Sequence, residues 1–379
     1  MNALSPEVNA WINERNKKLG PNTVVLASDI VIPKRFTTGS LSLDVALGGG
    51  WPGNQWVEVI GHESSGKTAL VFKTIAANQA IDKDFTTFWL ASEHYDTDQA
   101  AALGVDNDRV VVTPTQDMEL GLDFLLDAAE SKLYDCLVLD SYPAMLPDQE
   151  DENAMNEATV AAGAKLFNKF WRKAGKATRR NPDGTERVML GLVINQFRDK
   201  IGTFQKFGKP ETSPGGHGKD YAFYVRLKLA RAEWIEEKRA GLPKPVSVGQ
   251  VIVVETIKNK SAAPRQRASI DFYFRNAITT GYHRGDYDLG KEYVAMGVLF
   301  DVIQLSGSWH HYDGHKWNSK AATEEAIRED RGLQEKLAAE VLEAASDLRR
   351  LDSTSTRAPA PKRRRASGRA HQDEPEAGA

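Results

Sequence analysis

The stretch QWVEVIGHESSGKTALVFKTIAANQA, residues 55–80, decides the fold. Its first six residues are apolar and β-rich. Its last thirteen carry apolar residues at helical spacing. Between them, Gly61-x-x-x-x-Gly66-Lys67-Thr68 satisfies GxxxxGK[ST] in full. A strand that turns tightly into a helix across such a loop points its backbone N–H groups inward around an anion. The helix beginning at Thr68 adds the positive end of its dipole. Lys67 is placed to reach the β/γ-phosphates of a nucleotide, and the Thr68 hydroxyl to bind Mg²⁺. The expected nucleotide contacts are therefore Gly61, Glu63, Ser64, Ser65, Gly66, Lys67, Thr68 and Ala69.

The same alternation continues outward. Apolar runs recur at TTFWLAS, RVVVT, DCLVLDS and VMLGLVIN, with helical stretches such as LGLDFLLDAAESK between them. Continuous apolar strands separated by helices predict an α/β fold with a mainly parallel sheet covered on both faces. AFYVRLKLA, QVIVVETI and SIDFYF follow one another closely and predict an antiparallel extension. Two acids stand at strand ends, where ligands of such sheets bind. Asp140, after CLVL, is the expected metal-side acid; alone, a strand-ending aspartate is equally a local cap. Glu93, after WLAS, is placed to orient water for in-line attack; alone, it is equally a solvated loop carboxylate.

Residues 6 to about 20 predict a short helix with Val8, Trp11, Ile12 and Leu19 near one face, ended by Gly20-Pro21. Such a helix is marginal alone and needs its own domain or a neighbour to pack on. Residues 280–350 predict a helix, a small hairpin turning at YDGH and one charged closing helix, hence a small α+β domain. From about 352 the chain is rich in Ser, Thr, Pro, Arg and Ala and lacks a core-forming pattern. The expected division is 1–35 arm, 36–275 core, 276–350 second domain and 351–379 tail.

Composition narrows the function classes. The 379 residues are 41% hydrophobic and 27% charged, with net charge -3, so any nucleic-acid contact rests on local patches. The single cysteine, Cys136, excludes an internal disulfide, and no apolar run approaches the roughly 18 residues of a membrane span. A cytoplasmic protein without a membrane partner is expected.

TTGSLSLDVALGGGWP, GHESSGKT, Glu93-His94, LVLDS, INQFRDKIG, KPETSPGG, IKNKSAAP and GSWHHYDG occur in this order. In these motifs the chain resembles the RecA family of recombination ATPases, bacterial and phage-encoded, from about residue 8 to 350. The resemblance implies a RecA-like P-loop core, an N-terminal polymerisation helix and a filament-forming, DNA-dependent ATPase. Such a protein uses ATP and Mg²⁺ and exchanges strands between single-stranded and double-stranded DNA. It implies that Glu93 is the catalytic glutamate. Gln196 would sense the γ-phosphate, and Lys258 and Lys260 would reach the ATP of a neighbouring copy. Two DNA-binding loops would lie at about 148–160 and 197–218, with Lys165, Arg198, Lys200, Ile201, Ser213, Gly215 and Gly216 as contacts. Asp96 and Phe274 would lie beside the adenine.

The residues support parts of this independently. Gln196 ends an apolar strand, where an amide can bond a phosphate oxygen and lose that bond on hydrolysis. The following loop interleaves Arg198, Lys200, Lys206, Lys209 and Lys219 with Phe197, Ile201, Phe204 and Phe207, which suits phosphates and bases. By composition alone it is also an ordinary mobile surface loop. Lys258 and Lys260 alternate on a strand, which is equally a solvated edge. The chain departs from the family at several points. The first loop is acidic, Lys165 replaces a usual arginine, and the tyrosine that stacks on adenine is missing. Asp220-Tyr221 replaces a Lys-Phe pair, and the tail carries PKRRRASGR. A helicase motor on the same core and an accessory DNA-coating filament that uses ATP only as a structural switch remain alternatives.

Overall fold

A computed structural model describes residues 4–148, 162–178, 186–199, 211–212 and 218–354. Most of the two segments expected to bind DNA, and the tail beyond 354, lie outside the described residues. So do Lys200, Ile201, Ser213, Gly215 and Gly216.

The molecule is α/β, built on an eight-stranded sheet. Its strands are β1 (Gln55–Gly61), β2 (Thr87–Ala91), β3 (Val110–Pro114), β4 (Cys136–Asp140), β5 (Leu190–Gln196), β6 (Val225–Glu237), β7 (Val246–Asn259) and β8 (Arg267–Tyr273). The order is β8-β7-β6-β1-β5-β4-β2-β3. Pairing is parallel from β6 to β3, and antiparallel for β6/β7 and β7/β8, as the crowding of the last three apolar runs predicts. Register does the rest. Gly61 pairs Gln196, and Ala91 pairs Asp140, so four strand ends open onto one edge.

Ten helices are described: α1 (Pro6–Leu19), α2 (Leu41–Leu47), α3 (Lys67–Ile81), α4 (Thr97–Ala102), α5 (Met118–Ser131), α6 (Ala162–Ala177), α7 (Gly218–Ala222), α8 (Leu289–Leu299), α9 (Lys320–Glu329) and α10 (Arg331–Thr354). None is long and apolar enough to cross a membrane. Helix α3 packs Leu70, Val71 and Ile75 against Val57 and Val59 on one sheet face. Helices α5 and α6 cover the other, with Leu125, Phe167 and Trp171 around Trp56. Two-residue alternation along β1 sends 56 and 58 to this second face and 57 and 59 to the first.

Trp56 lies edge-on to Phe170 and Trp171, with centroids 5.8 and 5.2 Å away. Its ring occupies the space above Gly191 on β5, where a Cβ would meet Trp56 Cε3 at 2.2 Å. Gly191→Val is therefore expected to destabilise the fold by about 1–3 kcal/mol through overpacking. A lowered urea midpoint at unchanged slope checks it.

Helix α1 starts at the Ser5 cap with Pro6 in its first turn and buries no residue. The C-terminal unit gathers Val294, Ile303, Tyr312, Ile327, Leu337 and Val341 into its own core. It docks on α2, where the Glu292 carboxylate accepts from Ser42 N at 2.9 Å and from the Ser40 and Ser42 hydroxyls.

Two expectations need correction here. The hairpin is a three-stranded antiparallel meander, Gln304–Ser306, Trp309–Tyr312 and His315–Trp317. The charged closing helix is two helices, α9 and α10, because Asp330 leaves the helical path and its carboxylate caps Leu333 N at 3.0 Å. The second of these reaches Thr354, past the expected start of the tail.

Candidate active site

The loop after β1 closes over glycines that no other residue replaces. A Cβ on Gly61 would stand 2.5 Å from Ser65 Oγ and 2.6 Å from the Leu229 carbonyl oxygen. Gly66 takes φ +92° as the residue before α3, and no side chain caps that helix, so its first N–H groups face the loop. Lys67 is buried with Nζ donating to the His62 carbonyl at 2.8 Å. Burial lowers its pKa, while Asp140, Glu93 and Glu63 oppose that shift. An interior of this kind can hold a phosphate.

The strand ends bring the acids beside it. Thr68 Oγ1 donates to Asp140 Oδ2 at 3.3 Å. Asp140 Oδ1 is buried without a hydrogen-bond partner. Burial, and then the charge of Glu93, push the Asp140 carboxyl up to about 7, against the Thr68 hydrogen bond and the Lys67 charge. A carboxylate held this way, beside a threonine hydroxyl and with one oxygen unused, fits a hard divalent cation such as Mg²⁺.

Glu93 follows β2, and its backbone N–H donates to the Asp140 carbonyl at 3.0 Å. Its carboxylate Oε1 accepts from the Ser141 hydroxyl and from Gln196 Nε2 at 3.3 Å. Ser141 is held in turn, because Ser92 Oγ donates to its carbonyl at 2.6 Å. Ser141 sits beside Asp140 in LVLDS, yet its role shows only in three dimensions.

A cavity of about 570 Å³ joins these groups: Ser64, Ser65, Gly66, Lys67, Thr68 and Ala69 line it, as do Glu63, Glu93, Asp140 and Gln196. Its far end is aromatic. Phe274 lines it, and Trp234 of β6 joins it edge-on, with centroids 5.9 Å apart. The Arg231 guanidinium lies 3.9 Å over the Trp234 ring. Asp96 does not line the cavity. It caps α4 by accepting from Gln99 N at 2.9 Å, and Gln99 is the residue of that helix that faces the cavity. Trp234 lies far from the loop in sequence, and only its register opposite Gln250, another lining residue, brings it there.

The first residue of the second loop touches the cradle directly. Phe197 packs 5.7 Å from His62 and under Lys228 Nζ at 5.0 Å. The loop's stem then pairs Arg198 with Thr212. Lys165 lies exposed on α6. Lys258 and Lys260 stand at the far end of β7, and Lys260 falls one residue beyond the strand rather than on it. Neither lines this chain's own cavity. Lys258 Nζ donates to the Asp220 carbonyl. Burial, then Lys260 and Arg226, lower its pKa against Asp220.

The RecA N-terminal domain family matches residues 7–279. Protein RecA of Acinetobacter baumannii is 33% identical over 317 residues, covering 82% of this chain and 83% of that protein. Protein RecA of Staphylococcus aureus is 32% identical over 338 residues, covering 86% and 90%. With the strand-end acids and the phosphate cradle in one cavity, these matches place the chain in the RecA family.

Proposed function

We propose that this chain is a DNA-dependent ATPase that forms helical filaments on single-stranded DNA and catalyses homologous pairing and strand exchange. One observation carries the reading. Glu93, poised for hydrolysis, is hydrogen-bonded to Gln196, the residue that opens the second DNA loop. The hydrolytic group and the loop therefore sense one another through a single amide.

In this reading the glycine-bounded loop and Lys67 hold the β/γ-phosphates, and Thr68 and Asp140 hold Mg²⁺. The cation supplies positive charge to the phosphates and to the buried acid. Glu93, oriented by Ser141, positions water and takes its proton. Gln196 exchanges Glu93 for a γ-phosphate oxygen when ATP binds, which orders the loop that carries Arg198, Lys200 and Ile201. Phe274 and Trp234 flank the base, with Gln99 rather than Asp96 beside them. Lys258 and Lys260 act on the nucleotide of the next subunit, and α1 docks on a neighbour. Base pairing between DNA strands reads the sequence, so the protein is nearly sequence-independent.

The test is the ATPase rate with and without single-stranded DNA, followed by strand exchange between homologous molecules. DNA is expected to raise the rate at least about tenfold, because ordering of the loop completes the site. An unstimulated rate sinks the proposal, and strand displacement without homology assigns the core to a motor.

A further inference from the structure

We infer that Glu58, buried at the centre of the sheet, is the positioning residue of a hydrogen-bonded relay from a subunit's own nucleotide site to its Lys258. The inference rests on the proposed function, in which Gln196 senses phosphate and Lys258 serves a neighbouring copy.

Glu58 has no exposed surface, yet it lies on the face of β1 that Trp56 shares with the aromatic cluster. A carboxylate there is costly unless both oxygens are occupied. Both are. Oε1 accepts from Asn195 Nδ2 at 2.8 Å, and Oε2 accepts from Arg226 Nε at 2.6 Å. The path continues in each direction. Asn195 Oδ1 accepts from the backbone N–H of Gln196 at 2.9 Å, and the Gln196 side chain reaches Glu93. On the other side, Arg226 Nη1 donates to Asp220 Oδ1 at 2.7 Å, and the Asp220 carbonyl accepts from Lys258 Nζ. One unbroken path therefore runs Glu93–Gln196–Asn195–Glu58–Arg226–Asp220–Lys258.

An ion pair whose carboxylate is fully buried and whose guanidinium is mostly so adds little net stability over an apolar pair, but it is demanding of geometry. That makes it a poor glue and a good joint. The bistable element is Gln196, whose amide bonds Glu93 in this structure and a phosphate oxygen when ATP is bound. Moving that amide draws on Asn195, which clamps the Gln196 backbone and Glu58 together. Glu58 then shifts Arg226, Arg226 shifts Asp220, and the carbonyl that holds Lys258 moves with it. Nucleotide state in one subunit thus sets whether its lysine is released toward the next.

The experiment is the ATP dependence of hydrolysis by the full chain on single-stranded DNA. Two variants are measured. Glu58→Gln with Arg226→Met removes both charges of the buried pair together, and the Asp220 carboxylate that loses Arg226 is 42% exposed and is solvated instead. Asn195→Ser cuts the relay one step away and decides alone if the double variant fails to fold. Wild type is expected to show a Hill coefficient above 1. Both variants are expected to fall to about 1, the value for independent sites, while still binding nucleotide and DNA. A lowered melting temperature with unchanged cooperativity means a structural role and overturns the relay. A wild-type coefficient of about 1 overturns it as well. Absence of DNA stimulation in wild type is a separate result; it overturns the proposed function and the relay with it.

Discussion

Glu93→Gln is expected to cut DNA-stimulated ATP turnover at least about 100-fold, the usual scale for losing a positioned general base. ATP-dependent DNA binding is expected to survive. The substitution keeps an acceptor oxygen for the Ser141 hydroxyl and for Gln196 Nε2, so the local arrangement persists. What disappears is the negative charge that takes a proton from water. Metal and nucleotide binding are not weakened, because Glu93 is one of the causes that push the Asp140 carboxyl up to about 7. Removing that charge favours ionised Asp140, the form that holds a cation. Steady-state ATPase assays, paired with fluorescence anisotropy of labelled single-stranded DNA in ATP, separate the two effects. Wild-type turnover in the variant removes Glu93 from the chemistry. Loss of DNA binding together with turnover shows instead that Glu93 holds the site together.

Much of this site was legible because its residues are local to strand ends. The loop from Gly61 to Thr68 announces itself by spacing, and Asp140 and Glu93 each end an apolar run. The parallel order of the sheet followed from strands alternating with helices, and the antiparallel edge from strands too close for a crossover. What the sequence hid depends on pairing between distant segments. Trp234 enters the cavity only through the β6/β7 register, and Asp96 caps α4 while Gln99 of that helix lines the cavity. Glu58 carried a visible signal, a charge inside QWVEVI, yet its meaning needs Asn195 and Arg226 beside it. The break at Asp330 is hidden in the sequence because helical periodicity continues across it while the chain bends.

Lys258→Ala with Lys260→Ala is expected to lower DNA-stimulated turnover by ~10³-fold, the lower end of the range for a cation supplied to a phosphoryl-transfer site by another chain. Neither lysine lines the cavity of its own chain, so in an isolated copy the loss has no direct cause. The cause appears only if a neighbour presents them. Mixing tests this without a structure of the filament. The double variant keeps an intact cradle but offers no lysines. Lys67→Ala offers both lysines but has a disabled cradle. Each alone is nearly inactive. In a random equimolar filament about one interface in four joins an intact cradle to intact lysines, so about a quarter of wild-type activity returns if the cations act in trans. If they act within one chain, no mixed interface is complete and the mixture stays as inactive as its parts. Recovery at that level therefore locates the second half of the active site on another copy of the chain, and its absence places the action of both lysines within their own chain.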